Sequence, residues 1–271
     1  MRFFNPLAIS GHLWQHRGLI RQLTRREVLY RYKGSYLGLS WGFLQPLFML
    51  AVYTFVFSVI FESKWGSHIQ NDRLTFAMAL FCGILTFNIL GDVANAAPLL
   101  ILGNISFVKK VIFPLEILPL VKLLGTLVHS CFGLVILFLG MGLGGQPFHW
   151  TILLLPLVWL PMAMFALGCG YLLSSLGVFI RDIGATVSVL VTMFLFMSPI
   201  FYPLDAVPDS LKIYCRINPI AIYVEDARRV VLWGQPPDWY WFLGGMLFAL
   251  IVLTAGFAFF MRSKKAFADV I

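Results

Sequence analysis

From Gly34 to Phe61 the sequence runs for 28 residues without a charged side chain. A helix rises 1.5 Å per residue, so about 20 apolar residues cross the ~30 Å hydrocarbon core of a bilayer. A run of this length and character has few places in a water-soluble fold. Further long apolar stretches follow it, and together they predict six membrane-spanning helices over residues 34–61, 74–97, 115–139, 151–177, 183–201 and 239–261. The cluster Gly140, Gly142, Gly144 and Gly145 with Pro147 separates the third from the fourth. Composition agrees, since only 12% of the residues are charged and 60% are hydrophobic, whereas a soluble domain carries about 25% charged residues. The expected fold class is an all-α integral membrane protein, one transmembrane domain over residues 1–271.

Charge sets the expected direction. The first 33 residues carry Arg2, Arg17, Arg21, Arg25, Arg26, Arg31 and Lys33, and the apolar run behind them is too long for a signal-peptide core. With both termini inside, the cytoplasmic face also holds Lys109, Lys110, Arg181, Arg262, Lys264 and Lys265, which makes 13 cations against 6 outside. That bias follows the positive-inside rule. Lys122 alone falls within a span, near a cytoplasmic end to which it can snorkel.

Three segments are not plain spans. Residues 6–33 contain an amphipathic pattern, with Ile9, Leu13, Trp14 and Ile20 toward one side and Arg17, Arg21 and Arg25 on the other, which suits a helix lying in the cytoplasmic interface. His12 and His16 are four apart, as metal ligands on a helix can be, but no third ligand accompanies them, so the spacing reads as an ordinary polar face. Residues 103–114 mix Phe107, Val111, Ile112 and Phe113 with Lys109 and Lys110. Apolar residues in a cytoplasmic loop suggest a docking surface; a helix resting on the membrane is the other reading. Residues 203–238 form a long outer segment in which Pro208 starts one helix, Asn218-Pro219 breaks it, and a second runs on to Gly234. Its apolar face suits a hairpin dipping into the outer interface, or a loop packed on the spans.

Within the second span, Asn88, Asp92 and Asn95 share one helical face. An acidic group there marks either a functional site or hydrogen bonding between helices. Gly38 and Gly42 form a GxxxG pattern. Cys82, Cys131, Cys169 and Cys215 lack metal or redox spacing and read as buried spectators. The chain has no GxxxxGK[ST] loop for nucleotide phosphates. Its carboxylates are scattered: Asp205, Asp209, Glu225, Asp226 and Asp238 fall outside, and Asp92, Glu116 and Asp182 in or near the inner face. That scatter favours a transport subunit over a membrane-embedded enzyme acting on lipid-linked sugars.

An ordered set of short stretches resembles the membrane subunit of type-2 ABC exporters, the Wzm-like family that moves bacterial O-antigen and related polysaccharides. It comprises Arg31-Tyr32-Lys33-Gly34-Ser35-Tyr36-Leu37-Gly38 with Trp41, Gln45-Pro46, Lys109-Lys110-Val111-Ile112-Phe113-Pro114, Arg181-Asp182, Ser198-Pro199-Ile200-Phe201-Tyr202-Pro203, Asn218-Pro219 and the terminal Phe267-Ala268-Asp269-Val270-Ile271. The resemblance implies two copies of this subunit with two nucleotide-binding subunits, which hold the ATP and Mg; this chain holds no cofactor or metal of its own. It implies a coupling helix at Phe107, Lys109, Lys110 and Phe113, and an outer gate including Pro208, Pro219, Tyr223 and Arg228. It also implies a polymer path along spans one and five in the bacterial inner membrane. Aromatic faces offer sugar C–H groups contact without tight register, so the candidate path residues are Trp41, Phe48, Tyr53, Phe55, Phe196 and Tyr202, although aromatics also suit lipid contact. Capsule or teichoic acid polymer, or a smaller lipid or drug, are alternative cargoes within the same type of transporter.

Overall fold

Apolar periodicity without β-alternation leaves helices as the means of satisfying the backbone, and a computed structural model of the chain is helical throughout the residues it describes, which are 11, 14–56, 73–108 and 113–270. In chain order the helices are α1 (Arg17–Tyr30), α2 (Trp41–Tyr53), α3 (Arg73–Leu100), the short α4 (Ile105–Val108), α5 (Ile117–Leu143), α6 (Leu155–Phe179), α7 (Ile183–Met197), α8 (Asp209–Ile217), α9 (Pro219–Val231), α10 (Trp239–Ser263) and the short α11 (Phe267–Val270).

Five helical stretches are long and apolar enough to cross a membrane: Gly38–Val56, Leu74–Leu100, Ile117–Leu143, Trp150–Phe179 and Trp239–Val270. The apolar helix α7 has 15 residues, so it is about 22 Å long and shorter than the hydrocarbon core. It ends at Met197 because Ser198 turns extended, with ψ 148°, ahead of Pro199.

The packing has a centre. Helix α3 is 89% buried over its most apolar stretch, while the stretch containing α2 is only 11% buried. Around α3 stand α5, α6, α7 and α9, and α10 covers the far side of α6. Lipid tails are as apolar as leucine, so close contact between spans comes from small residues and polar ties. Gly168 of α6 meets Gly256 of α10 so closely that a Cβ on either would run into backbone. Trp159 Nε1 donates to Thr86 Oγ1 at 3.1 Å, tying α6 to α3. The GxxxG pair does not work as a unit: Gly38 sits in a turn with φ +51°, and Gly42 alone is packed, against Phe132 and the Tyr32 hydroxyl.

Helix α1 does more than rest on an interface. Ile20 and Leu23 are buried against Ile117 and Val121 of α5, while Arg17, Arg21, Arg25 and Arg26 remain exposed. Ile9, His12 and Leu13 lie outside the described residues. Lys122 does not snorkel outward; it pairs with Glu27 of α1 at 3.1 Å and draws α1 onto α5.

The second helix of the outer segment is anchored in the bundle. In α9, Ile220, Tyr223, Val224, Ala227, Val230 and Val231 are buried, and Arg228 is fully buried. The Arg228 guanidinium donates from Nε to Ala79 O at 2.9 Å, from one terminal nitrogen to Pro199 O at 2.6 Å, and from the other to Ile200 O at 2.8 Å. Glu225 lies 3.5 Å away and supplies a counter-charge. Room exists because position 83 is glycine: a Cβ there would meet the guanidinium at 2.6 Å. Helix α8 differs, since Leu211, Ile213, Tyr214 and Ile217 are exposed and Cys215 is buried.

Removing one member of a buried charged contact costs about 3–5 kcal/mol. Arg228→Met therefore lowers the thermal midpoint of the detergent-solubilised protein sharply, whereas Arg229→Met, at a half-exposed neighbour bonded to Pro236 O, changes stability by no more than about 1 kcal/mol. Thermal unfolding followed by fluorescence-detected size exclusion compares the two.

Candidate functional site

One side of the bundle is left open. On α2 only Gly42 and Pro46 are buried, and on α7 only Val187. Between these two poorly covered helices lies the one polar strip of α3: Asn88 and Asn95 are exposed and Asp92 half-exposed on a helix otherwise sunk in the core. Helical geometry explains the arrangement. Gly91, one step round from the strip, faces Val191 of α7, and Leu85, on the other side, lines a space shared with α2. The result is a trough with a polar floor and walls made by α2 and α7.

Aromatic side chains are among those exposed on the uncovered faces of both helices. Trp41, Phe48 and Phe55 are exposed along span one, and Phe196 is 61% exposed on α7. Tyr53 is half-buried and meets Phe201 edge-on at 6.2 Å, and Phe201 stacks on Phe196 at 5.2 Å. This ring series links the C-terminal ends of α2 and α7. Tyr202 turns its hydroxyl back to the carbonyls of Phe196 and Met197 at 3.4 and 3.5 Å, closing the end of α7.

The end of the trough nearest α1 is tied by charge. Arg31, just beyond α1, pairs with Asp92 at 3.2 Å. The next residue, Tyr32, shares a hydrogen bond of 2.8 Å with His129 Nδ1 of α5. Sequence reading missed His129 and its bond to Tyr32, because the two lie 97 positions apart.

Of the candidate coupling residues, Phe107 and Phe113 come together. Their rings stack at 4.2 Å with an interplanar angle of 12°. The Arg26 guanidinium of α1 lies 5.7 Å over the Phe107 ring, and Phe113 packs against the cluster of Ile20, Leu23, Ile117 and Val121. Lys109 and Lys110 lie outside the described residues. The other end of this loop reaches the C-terminal tail: Glu116, 2% exposed, accepts from Lys264 Nζ at 2.6 Å, and Phe267 is buried against Phe179 and Phe260.

The four candidate gate residues do not form one cluster. Pro208 caps α8 at the surface and Pro219 opens α9 behind the Asn218 cap. Tyr223 is buried and donates to Gly245 O at 2.8 Å; burial also raises its pKa above the usual phenol value. Arg228 is the buried anchor described above. Among the described residues, no group of three or more His, Cys, Asp or Glu side chains is placed to hold a metal ion.

Residues 18–232 match the ABC-2 type transporter family. The chain belongs to this family. Relatives of this ABC-2 membrane protein cover nearly all of it. The O-antigen export system permease protein RfbA of Myxococcus xanthus is 29% identical over 98% of this chain and 100% of its own length. A protein of the same description from Klebsiella pneumoniae is 24% identical over 93% and 95%. The capsule polysaccharide export inner-membrane protein CtrC of Neisseria meningitidis serogroup A is 23% identical over 98% of each. The transporter family makes this chain a transport permease, not an enzyme.

One group near the outer helices titrates close to neutrality. Asp226 of α9 is 3% exposed, and its Oδ1 accepts from Asp238 N at 3.0 Å while Oδ2 has no partner among the described residues. Desolvation pushes its pKa up to about 6, from 3.8. An acid with a raised folded pKa loses stability as pH climbs from the unfolded value through the folded one, because the folded form must then hold a buried charge. Asp226→Asn keeps the acceptor and removes the charge. Relative to wild type it therefore gains stability as pH rises from 4 to 6 and holds a constant advantage above, on the order of 3 kcal/mol. Thermal midpoints of both proteins across this pH range check the crossover.

Proposed function

We propose that two copies of this chain form the channel of an ATP-driven exporter that carries lipid-linked polysaccharide of the O-antigen kind across the bacterial inner membrane. The observation that carries this reading is the open trough: two apolar helices, α2 and α7, left largely uncovered beside a polar strip of α3. A polar strip is costly against lipid, and a second copy facing it would enclose the strip in a path with aromatic walls. Aromatic rings support a chain that slides, since each gives area without fixed register. The names of the relatives supply the substrate class, and the capsule relative's 98% coverage supports capsule polymer as the second cargo.

The energy enters from a separate nucleotide-binding subunit that holds ATP and Mg, since this sequence has no phosphate-binding loop. The loop over residues 103–114 is the contact for that subunit. Six spans, with α7 as the fifth, follow from the lengths of the apolar runs, and both termini inside from the charge bias of 13 to 6. A reporter fused after Ile271 reads as cytoplasmic if so.

Loss of the subunit leaves lipid-linked polymer on the cytoplasmic side while synthesis continues. Extraction of polymer from inverted and right-side-out vesicles measures this, and membranes that stop making polymer altogether would favour an enzyme instead.

Coupling has its own test. Phe113→Ala removes the ring that stacks on Phe107 and packs on α1 and α5, so the loop is no longer held in register with the spans. Partner co-purification or the ratio of polymer exported to ATP hydrolysed falls several-fold, while Phe113→Leu, which keeps apolar volume, retains most of both. Wild-type coupling in Phe113→Ala would return the loop to a membrane-resting role.

A further inference from the structure

Beside the trough, α2, α3 and α5 enclose a cavity of ≈ 120 Å³. Its polar lining comes from all three helices: Gln45 and Tyr53 from α2, Asn88 and Asp92 from α3, and His129 and Ser130 from α5. Asn88 and Asp92 belong also to the floor of the trough, so the cavity borders the proposed path. Ser130 is buried, Tyr53, Asp92 and His129 are half-buried, and Gln45 and Asn88 are exposed; burying even the first four is unexpected if the space serves packing alone, because an apolar core fills such gaps without desolvating polar groups.

Two of the six are committed. Asp92 pairs with Arg31, and His129 Nδ1 shares its hydrogen bond with Tyr32. The opposite charges of Arg31 and Asp92 offset each other. Four neutral groups remain, and none of these has a hydrogen-bond partner in the chain among the described residues: the carboxamides of Gln45 and Asn88, and the hydroxyls of Tyr53 and Ser130. Carboxamides and hydroxyls both donate and accept, which matches adjacent hydroxyls on a ring. The Phe81 and Tyr53 rings line the same space and offer apolar faces for C–H groups. Neither a phosphate nor a cation has an uncompensated charge to meet here. A cavity of about 150 Å³ holds a ligand the size of benzene, so this one takes the hydroxyl-bearing edge of a single sugar unit and not a whole oligosaccharide.

We propose that this cavity is a side pocket that reads one neutral sugar unit of the passing chain, through hydrogen bonds from Gln45, Tyr53, Asn88 and Ser130. The inference rests on the polysaccharide reading above and adds to it a place where the identity of the sugar matters. A path with only aromatic walls is tolerant of sequence; hydrogen bonds to ring hydroxyls discriminate, because a missing hydroxyl leaves a polar group without a partner.

The test uses the complete exporter with its ATPase in membrane vesicles, carrying Asn88→Cys together with Cys131→Ser, since Cys131 is the exposed native cysteine. The rate of thiol modification at position 88 is measured with the organism's own polysaccharide released from its lipid by mild acid, with dextran, and with glycerol at equal hydroxyl concentration. Occupancy by a sugar unit slows modification about tenfold with the native polymer and far less with the other two, the size expected from one or two neutral hydrogen bonds. Gln45→Leu raises the concentration of native polymer needed for half-maximal ATPase stimulation by a similar factor. Equal modification rates with and without polymer, in vesicles that do export it, overturn the pocket and leave the exporter reading intact. Protection by glycerol as strong as by the polymer also overturns it, and points to the glycerol hydroxyls of a lipid headgroup. Vesicles of the unmodified exporter that move no polysaccharide overturn the function and the pocket together.

Discussion

The architecture depends on a buried guanidinium. Arg228 comes from the outer segment, yet its donors end on Ala79 of α3 and on Pro199 and Ile200 beyond α7. Arginine stays charged when buried and presents its donors in a fixed plane, so three carbonyls from two other segments are held in one geometry. The turn after α7 contains prolines, which donate nothing, and its free carbonyls need a partner. That single side chain therefore satisfies the end of α7, orients α9 across α3, and requires glycine at position 83. Tyr223, one turn earlier on α9, completes the attachment by bonding Gly245 of α10.

From this anchored end the bundle divides into two kinds of surface. Helices α3, α6, α9 and α10 interlock through glycine contacts and internal hydrogen bonds such as Trp159 to Thr86. Helices α2 and α7 touch the rest along narrow lines. In a bilayer no hydrophobic force drives helix on helix, so the uncovered faces are open for a second copy or a substrate while the interlocked set keeps its shape. The polar strip of α3 lies where these two regimes meet.

The opposite end, around α1, is organised differently, by pairs that cross long sequence distances. Glu27 with Lys122 joins α1 to α5, Glu116 with Lys264 joins the base of α5 to the tail, and Arg31 with Asp92 joins the entry segment to α3. Phe107 and Phe113 sit among them. A push on the loop from outside the membrane would thus reach α1, α5 and the C-terminal tail together, through contacts with little slack.

The apolar runs and glycine breaks alone determine a helical membrane protein, because the backbone in lipid must bond to itself. The Asn88, Asp92 and Asn95 face was legible from 3.6-residue spacing, as were the breaks at Pro208 and Asn218-Pro219. The C-terminal end of α7 was not, since the apolar run continues through Phe201 while the prolines and the Arg228 contacts end the helix at Met197. Nor could sequence tell that Lys122 pairs with Glu27, that Arg228 is a core residue, or that His129 and Gln45 border one cavity. Hydropathy records how much each residue avoids water; it carries no information on which neighbour, tens of residues away, supplies the missing donor or acceptor. Only the tertiary packing sets those pairs, by the distance and direction at which polar groups meet inside the bundle.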